Sequence, residues 1–156
     1  MKLYIAGSFR NAAKIRIFAQ RLREEGLGCY VFCDRDETTN TLSEELRDTY
    51  DLAILKPNTA LRLDIVRQIG ELNAAALKKC DAAIVVLPSG KSAHLEAGYM
   101  IGRGKPVWVY GPMPRGDFDA MYVMTKGLYD EHEYQELVKD IFAYNAELNR
   151  GEVNGS

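Results

Sequence analysis

Residues 81–110 read DAAIVVLPSGKSAHLEAGYMIGRGKPVWVY, and their pattern decides the fold. Residues 82–87 and 107–110 are short apolar runs rich in β-branched side chains and bounded by turn formers, the pattern of strands covered on both faces. The segment between them is long enough for a crossover helix. It closes at Gly102-Arg103-Gly104-Lys105-Pro106, where glycine supplies a left-handed turn and Pro106 prevents continuation. Together these make a βαβ unit. In an open α/β sheet the ligand sits outside the carboxyl ends of the strands, so loop 88–92 and the start of the next helix face the expected site. Glu96 lies there.

Working outward, residues 2–6 form an apolar strand ending in Gly7-Ser8. Ile15, Phe18, Ala19 and Leu22 then recur at helical spacing over 11–25. Residues 28–33 predict a second strand, and 34–40 (DRDETTN) a polar flap or surface loop. A short helix is expected over 41–50, capped by Thr41 or Ser43, while 52–55 is ambiguous between an edge strand and a helix end before Pro57. Leu61, Ile65, Ile69, Leu72, Ala76 and Leu77 predict one long amphipathic helix over 61–79. After Tyr110, Pro112 and Pro114 break the chain into a loop, residues 121–128 return toward the core, and 131–148 predict a last helix. The fold class expected is therefore α/β: a doubly wound, mainly parallel sheet of four or five strands with helices on both faces, flavodoxin- or Rossmann-like. One domain spans 1–149, and 150–156 is read as a frayed tail.

The chain has 156 residues, 47% of them hydrophobic, enough for a single substantial core. Its net charge of −2, with both signs interspersed, gives no footprint for a nucleic-acid backbone or an anionic membrane, which leaves a small molecule as the expected partner. No apolar run has the length of a signal peptide or a membrane span, so a cytoplasmic protein is expected. Cys29, Cys33 and Cys80 lack zinc spacing and read as reduced, partly buried thiols; no metal and no organic cofactor is expected.

Gly90-Lys91-Ser92 invites a phosphate-loop reading, but that motif needs a glycine five residues before Gly90, and the position is Val85. The helix amino terminus can still hold an anion or a polar ligand through its free amides. His94 would project from a different face than Glu96, as a site residue or a capping group. Glu96 itself has two readings. An acid near a helix amino terminus is stabilised by the macrodipole without any catalytic role. The same dipole favours the ionised form that a nucleophile requires. Ala93, Ala97 and Gly98 leave room beside it for a ligand or a neighbouring backbone.

Tyr4-Ile5-Ala6-Gly7-Ser8-Phe9-Arg10, taken with Ser92-Ala93-His94-Leu95-Glu96-Ala97-Gly98-Tyr99 and Gly104-Lys105-Pro106-Val107, resembles the nucleoside 2-deoxyribosyltransferase family, including the related 5′-deoxynucleotide N-hydrolases. The match runs in order from Tyr4 to about Tyr110. It implies that Glu96 attacks the anomeric carbon of a nucleoside and that Tyr4 holds this glutamate. It further implies that Gly7, Ser8, Phe9 and Arg10 receive the 5′ end of the ligand, GSFR being closer to the version that reads a 5′-phosphate. Asn73, Ser89, Ser92 and His94 complete the expected substrate-binding set. Family members are homo-oligomers, so a homodimer or larger assembly is expected by resemblance.

The sequence departs from the family at the second acid. An aspartate usual in the family, eight residues before the position of Asp81, is Asn73 here, and another about six residues before the glutamate falls near Gly90. Glu71, His94, Asp34 and Asp36 are the possible substitutes, and Asp81 is read as structural. The function expected is cleavage or transfer of the N-glycosidic bond of a (deoxy)nucleoside or nucleoside 5′-monophosphate. Its rivals are cleavage of another glycosidic ligand, such as the nicotinamide bond of NAD, and a nucleotide-binding module without turnover.

Overall fold

Five short strands pair side by side, all parallel: β1 (Lys2–Ala6), β2 (Gly28–Val31), β3 (Ala82–Val86), β4 (Val107–Tyr110) and β5 (Gly127–Tyr129). Their order across the sheet is β2-β1-β3-β4-β5. The computed structural model describes residues 1–34, 37–51 and 54–153. Every residue of β3 and β4 is buried, which is why both read as unbroken apolar runs in the sequence.

The described residues form six helices: α1 (Ala12–Glu24), α2 (Glu37–Thr49), α3 (Pro57–Ala60), α4 (Asp64–Lys78), α5 (Lys91–Gly102) and α6 (Tyr134–Val153). α1 buries Ile15, Phe18, Ala19 and Leu22, the stripe its spacing predicts, and Gly26 turns the chain out of it at φ +89°. Phe18 stacks on Tyr110 of β4 and meets Tyr134 of α6 edge-on, so α1 and α6 share one face of the sheet. α4 and α5 contribute to a common cavity on the other face. The sheet is thus doubly wound, as expected, in the flavodoxin-like order. Among the described residues no helix is long and apolar enough to cross a membrane.

Two polar clusters fasten the elements. At the amino end of the sheet, Asp81 Oδ2 accepts the Lys2 N–H at 2.6 Å, while the Asp81 N–H donates to the Lys2 carbonyl at 2.8 Å. Asp81 is therefore used to start β3 beside β1, the structural role read from the sequence. At the far edge, Asp140 of α6 accepts from Trp108 Nε1 at 2.8 Å and Tyr129 Oη at 2.9 Å, which docks the last helix on β4 and β5. Burial first, and the Asp140 hydrogen bond second, push Tyr129 up to about 12.

Several boundaries differ from expectation. The second strand stops at Val31, and residues Phe32–Asp34 make a 3-10 turn, so Cys33 is buried in that turn rather than on a strand face. α2 begins at Glu37, inside the expected flap, which puts Thr41 and Ser43 within the helix rather than at its cap. The long helix predicted over 61–79 is two, with the chain turning between α3 and α4; Leu61 is 65% exposed. α6 runs Tyr134–Val153, so residues 150–153 of the expected tail are helical. Asp36, Leu52, Ala53 and residues 154–156 lie outside the described residues.

Candidate active site

The connections from β1 and β3 leave in opposite directions, and adjacent strands whose connections diverge open a crevice at their carboxyl ends. Ser8 at the end of β1 caps the 3-10 turn Phe9–Asn11, its Oγ accepting the Arg10 N–H at 3.3 Å. Asn11 Nδ2 then donates to the Pro88 carbonyl at 2.7 Å, tying the loop after β1 to the loop after β3. Gly111, beyond β4, approaches this second loop so closely that an added Cβ would stand 2.8 Å from the Leu87 carbonyl oxygen. At φ +114° the backbone there favours glycine as well.

A cavity of about 460 Å³ opens at this crevice. Gly7, Ser8, Phe9 and Arg10 line it from β1's loop, Phe32 from the end of β2, Asn73 from α4, and Gly90, Lys91, Ser92, Ala93 and Glu96 from α5. Phe9 and Phe32 meet edge-on with ring centroids 4.9 Å apart, forming one aromatic wall. Beneath the cavity, Tyr4 is fully buried in β1, in register with Tyr30 and Ala83. Its ring stacks on Tyr30 at 5.3 Å, and its hydroxyl donates to Glu96 Oε1 at 3.0 Å. A rigid strand thus holds the carboxylate by one oxygen at the cavity's edge.

Glu96 lies in the second turn of α5, and the first turn contains no acid. The macrodipole is strongest within the first turn, so Glu96 stands beyond its main reach, and there the Tyr4 hydroxyl donates to it.

His94 is not brought to this cavity. Its Nδ1 lies 3.0 Å from the Gly90 carbonyl and its Nε2 2.8 Å from Tyr122 Oη, which fits an Nδ1–H that donates to the carbonyl and an Nε2 that accepts from the phenol. With Tyr122 it lines a separate cavity of about 480 Å³, mainly apolar, between the other side of α5 and the segment 117–125. Burial, then Asp117 and Asp119, raise the Tyr122 phenol above its usual value. Ser89 also stays outside the Glu96 cavity; its Oγ is buried and has no hydrogen-bond partner among the described residues.

No candidate second acid reaches the cavity among the described residues. Asp34 is paired with Arg16 at 2.7 Å, and Glu71 is exposed on α4 outside the lining. Glu96 is the one carboxylate among the described lining residues. Those residues also include no group of three or more His, Cys, Asp or Glu suited to a metal ion.

Phe32 is a lining residue that the sequence pattern does not single out: it follows the carboxyl end of β2, so the rule that points to residues 7–10 applies to it too, but residues 28–33 have the pattern of a continuous strand. Lys91 lies in the segment 88–92 expected to face the site and is the first residue of α5.

No family model and no curated protein matches the chain. Among solved structures it is similar to a CMP N-glycosidase, BcmB, of Clostridium botulinum, with 17% identity over 92% of this chain and 99% of that one and a TM-score of 0.49. It is also similar to a 2-deoxyribosyltransferase of Bacillus psychrosaccharolyticus, with 16% identity over 88% of this chain and 90% of that one and a TM-score of 0.47.

Proposed function

We propose that the protein cleaves the N-glycosidic bond of a (deoxy)nucleoside or nucleoside 5′-monophosphate, with Glu96 as nucleophile and Tyr4 as its positioning residue. The observation that supports this best is the Tyr4–Glu96 hydrogen bond of 3.0 Å, which fixes a carboxylate beside a cavity at the sheet's switch point. Breaking a bond at an anomeric carbon builds positive charge on the sugar, and a fixed anion beside that carbon both stabilises the charge and can trap it.

In the first step a Glu96 oxygen bonds to C1′ as the C1′–N bond breaks, its electron pair leaving with the base. In the second, water attacks C1′, the ester opens, and Glu96 returns to carboxylate. The water proton ends on the departing base, so the sum is addition of one water across the bond. A second nucleobase attacking in place of water gives transfer. Asn73 lines the cavity and can hydrogen-bond to the base, but its amide is not an acid. The proton that reaches the base therefore comes from water in hydrolysis and from the incoming nucleobase in transfer.

Chromatography of free base released from deoxynucleosides, their 5′-monophosphates and NAD, with and without an acceptor base, tests the reading. Release from the nucleosides or monophosphates that disappears in Glu96→Ala is the expected result. Nicotinamide as the only product would transfer the chemistry to a dinucleotide, and absence of any product would refute turnover. That Glu96 is the single carboxylate among the described lining residues favours a second reading in that event, a nucleotide-binding module, for which Asn73→Asp would restore base release.

A further inference from the structure

His94 and Tyr122 border the second cavity, of about 480 Å³, and the steps above leave it unused. Its volume is in the range of small-molecule sites, which are mainly apolar with a few converging polar groups. His94, Ala97, Gly98 and Ile101 line it at positions i, i+3, i+4 and i+7 of α5, a single stripe of that helix. Glu96 is off the stripe and serves the other cavity. The middle of the stripe is small, and a Cβ added at Gly98 would meet nothing within 4 Å. Val85 of β3 and Val109 of β4, both buried, make an apolar floor, while Met121 and Met124 are exposed and adaptable in shape.

The charges on this cavity have one sign. Asp117 and Asp119 line it, and no lysine or arginine is among its described lining residues. Asp119 Oδ1 accepts the Met121 N–H at 2.8 Å and caps the 3-10 turn Ala120–Met124, so the backbone fixes this carboxylate. Neither aspartate is ion-paired among the described residues, where Asp34 and Glu131 both are. After burial, these two carboxylates are what raises the Tyr122 phenol, so they gather where His94 and Tyr122 meet. His94 does not offset them, since its hydrogen bonds fit the neutral ring. An apolar space with two carboxylates at one end suits a molecule with an apolar body and one cationic end. Both aspartates are exposed, so that end stays near water while the body enters. A second copy of the chain fits less well: packed patch on patch, it would bring the aspartates of both copies together.

We infer that this cavity is a second ligand site, which takes a small apolar primary amine, the ammonium group held at Asp117 and Asp119 and the body between α5 and segment 117–125. No residue of its lining enters the bond-breaking steps, so the site stands or falls apart from the glycosidic reading. His94 joins the two cavities, because the Gly90 carbonyl that it holds belongs to a residue lining the Glu96 cavity.

The test is calorimetry with 2-phenylethylamine and n-hexylamine, set against 2-phenylethanol and 3-phenylpropionate as neutral and anionic molecules of similar size. The amines should bind wild type with a Kd of about 1 mM or tighter, and roughly tenfold better than the alcohol or the carboxylate, as a charge-assisted contact allows. Asp117→Asn combined with Asp119→Asn, which keeps a side-chain cap on Met121, should erase that preference. Gly98→Leu should fill the space and weaken both amines by roughly tenfold or more. Its unfolding midpoint should be no lower than that of wild type, because leucine is the better helix former. Glu96→Gln should bind the amines as wild type does, which separates this site from the catalytic cavity. The inference is overturned if the alcohol or the carboxylate binds as well as the amines, or if the double variant keeps the preference. Amine binding that survives Gly98→Leu unchanged, or that disappears in Glu96→Gln, overturns it too. So does absence of amine binding, and sedimentation of wild type and Met121→Glu then identifies the occupant: an assembly that Met121→Glu disperses means that a second copy covers the cavity.

Discussion

The two ends of the sheet use their charged side chains differently. At the amino end, Asp81 accepts the Lys2 N–H at 2.6 Å, and Lys105 Nζ donates to the Lys78 carbonyl at 3.1 Å and also to the Cys80 carbonyl. Those charges are spent on starting strands. At the carboxyl ends of β1 and β3, Arg10 and Lys91 face a cavity of about 460 Å³ without an ion-pair partner among the described residues, and Glu96 is held at its edge by a buried tyrosine. The difference teaches where to look for chemistry: not where charges are many, but where the fold positions them and leaves them facing a space.

Substitutions can break that comparison, and the largest effect is expected at Glu96. Glu96→Gln keeps the side chain's size and its capacity to accept from Tyr4 but removes the nucleophile; base release should fall on the order of a thousandfold or more, with the unfolding midpoint little changed. Tyr4→Phe keeps the stack on Tyr30 and removes only the hydroxyl. A hydrogen bond to a charged group is worth about 1.5–3 kcal/mol, so kcat should drop roughly ten- to a hundredfold in steady-state kinetics. Asp81→Ala should do the reverse. Denaturant unfolding should show a loss of about 1 kcal/mol while kcat/KM stays within twofold, because that carboxylate serves only the strand start.

A smaller effect sharpens the contrast, since not every group near a strand's carboxyl end is available to a ligand. Tyr129 closes β5, yet its hydroxyl is used by Asp140, and burial with that bond raises it to about 12. The phenol is neutral in both folded and unfolded chains below its ordinary value near 10, so its contribution is fully present there. Above that the unfolded chain loses the proton first, and stability should fall progressively between about pH 10 and pH 12. Thermal melts across this range should show a shallower fall for Tyr129→Phe than for wild type.

What was legible in the sequence follows from how local each signal is. β3 and β4 were readable because a strand buried on both faces must be apolar at every position. β5 was not, because Gly127–Tyr129 is too short to display a period. The start of α2 was obscured by the run Asp36-Glu37-Thr38-Thr39-Asn40, whose residues favour turns in isolation. Leu61 and Ile65 kept helical spacing across a real turn, so two helices read as one. In the site, residues 7–10 follow the end of β1, and Ser92 and Glu96 lie in the first two turns of the helix after β3, so the switch-point rule could locate them. Asn73 enters from α4, whose pattern reveals a buried face and nothing about a cavity, and only the family resemblance pointed to it. His94 showed the limit of proximity: two residues from Glu96, it turns to a different cavity because successive helical positions diverge by about 100°.

The most direct test of the central claim is to trap the sugar on the enzyme. Wild type is incubated with a 2′-fluorinated nucleoside 5′-monophosphate, whose electron-withdrawing fluorine slows opening of the ester, then quenched in acid, digested and examined by mass spectrometry. A nucleophilic role for Glu96 predicts the fluorinated sugar phosphate on the peptide containing Glu96, and no such adduct in Glu96→Gln. The same adduct on another carboxylate, or base release by Glu96→Gln at the wild-type rate, would contradict it.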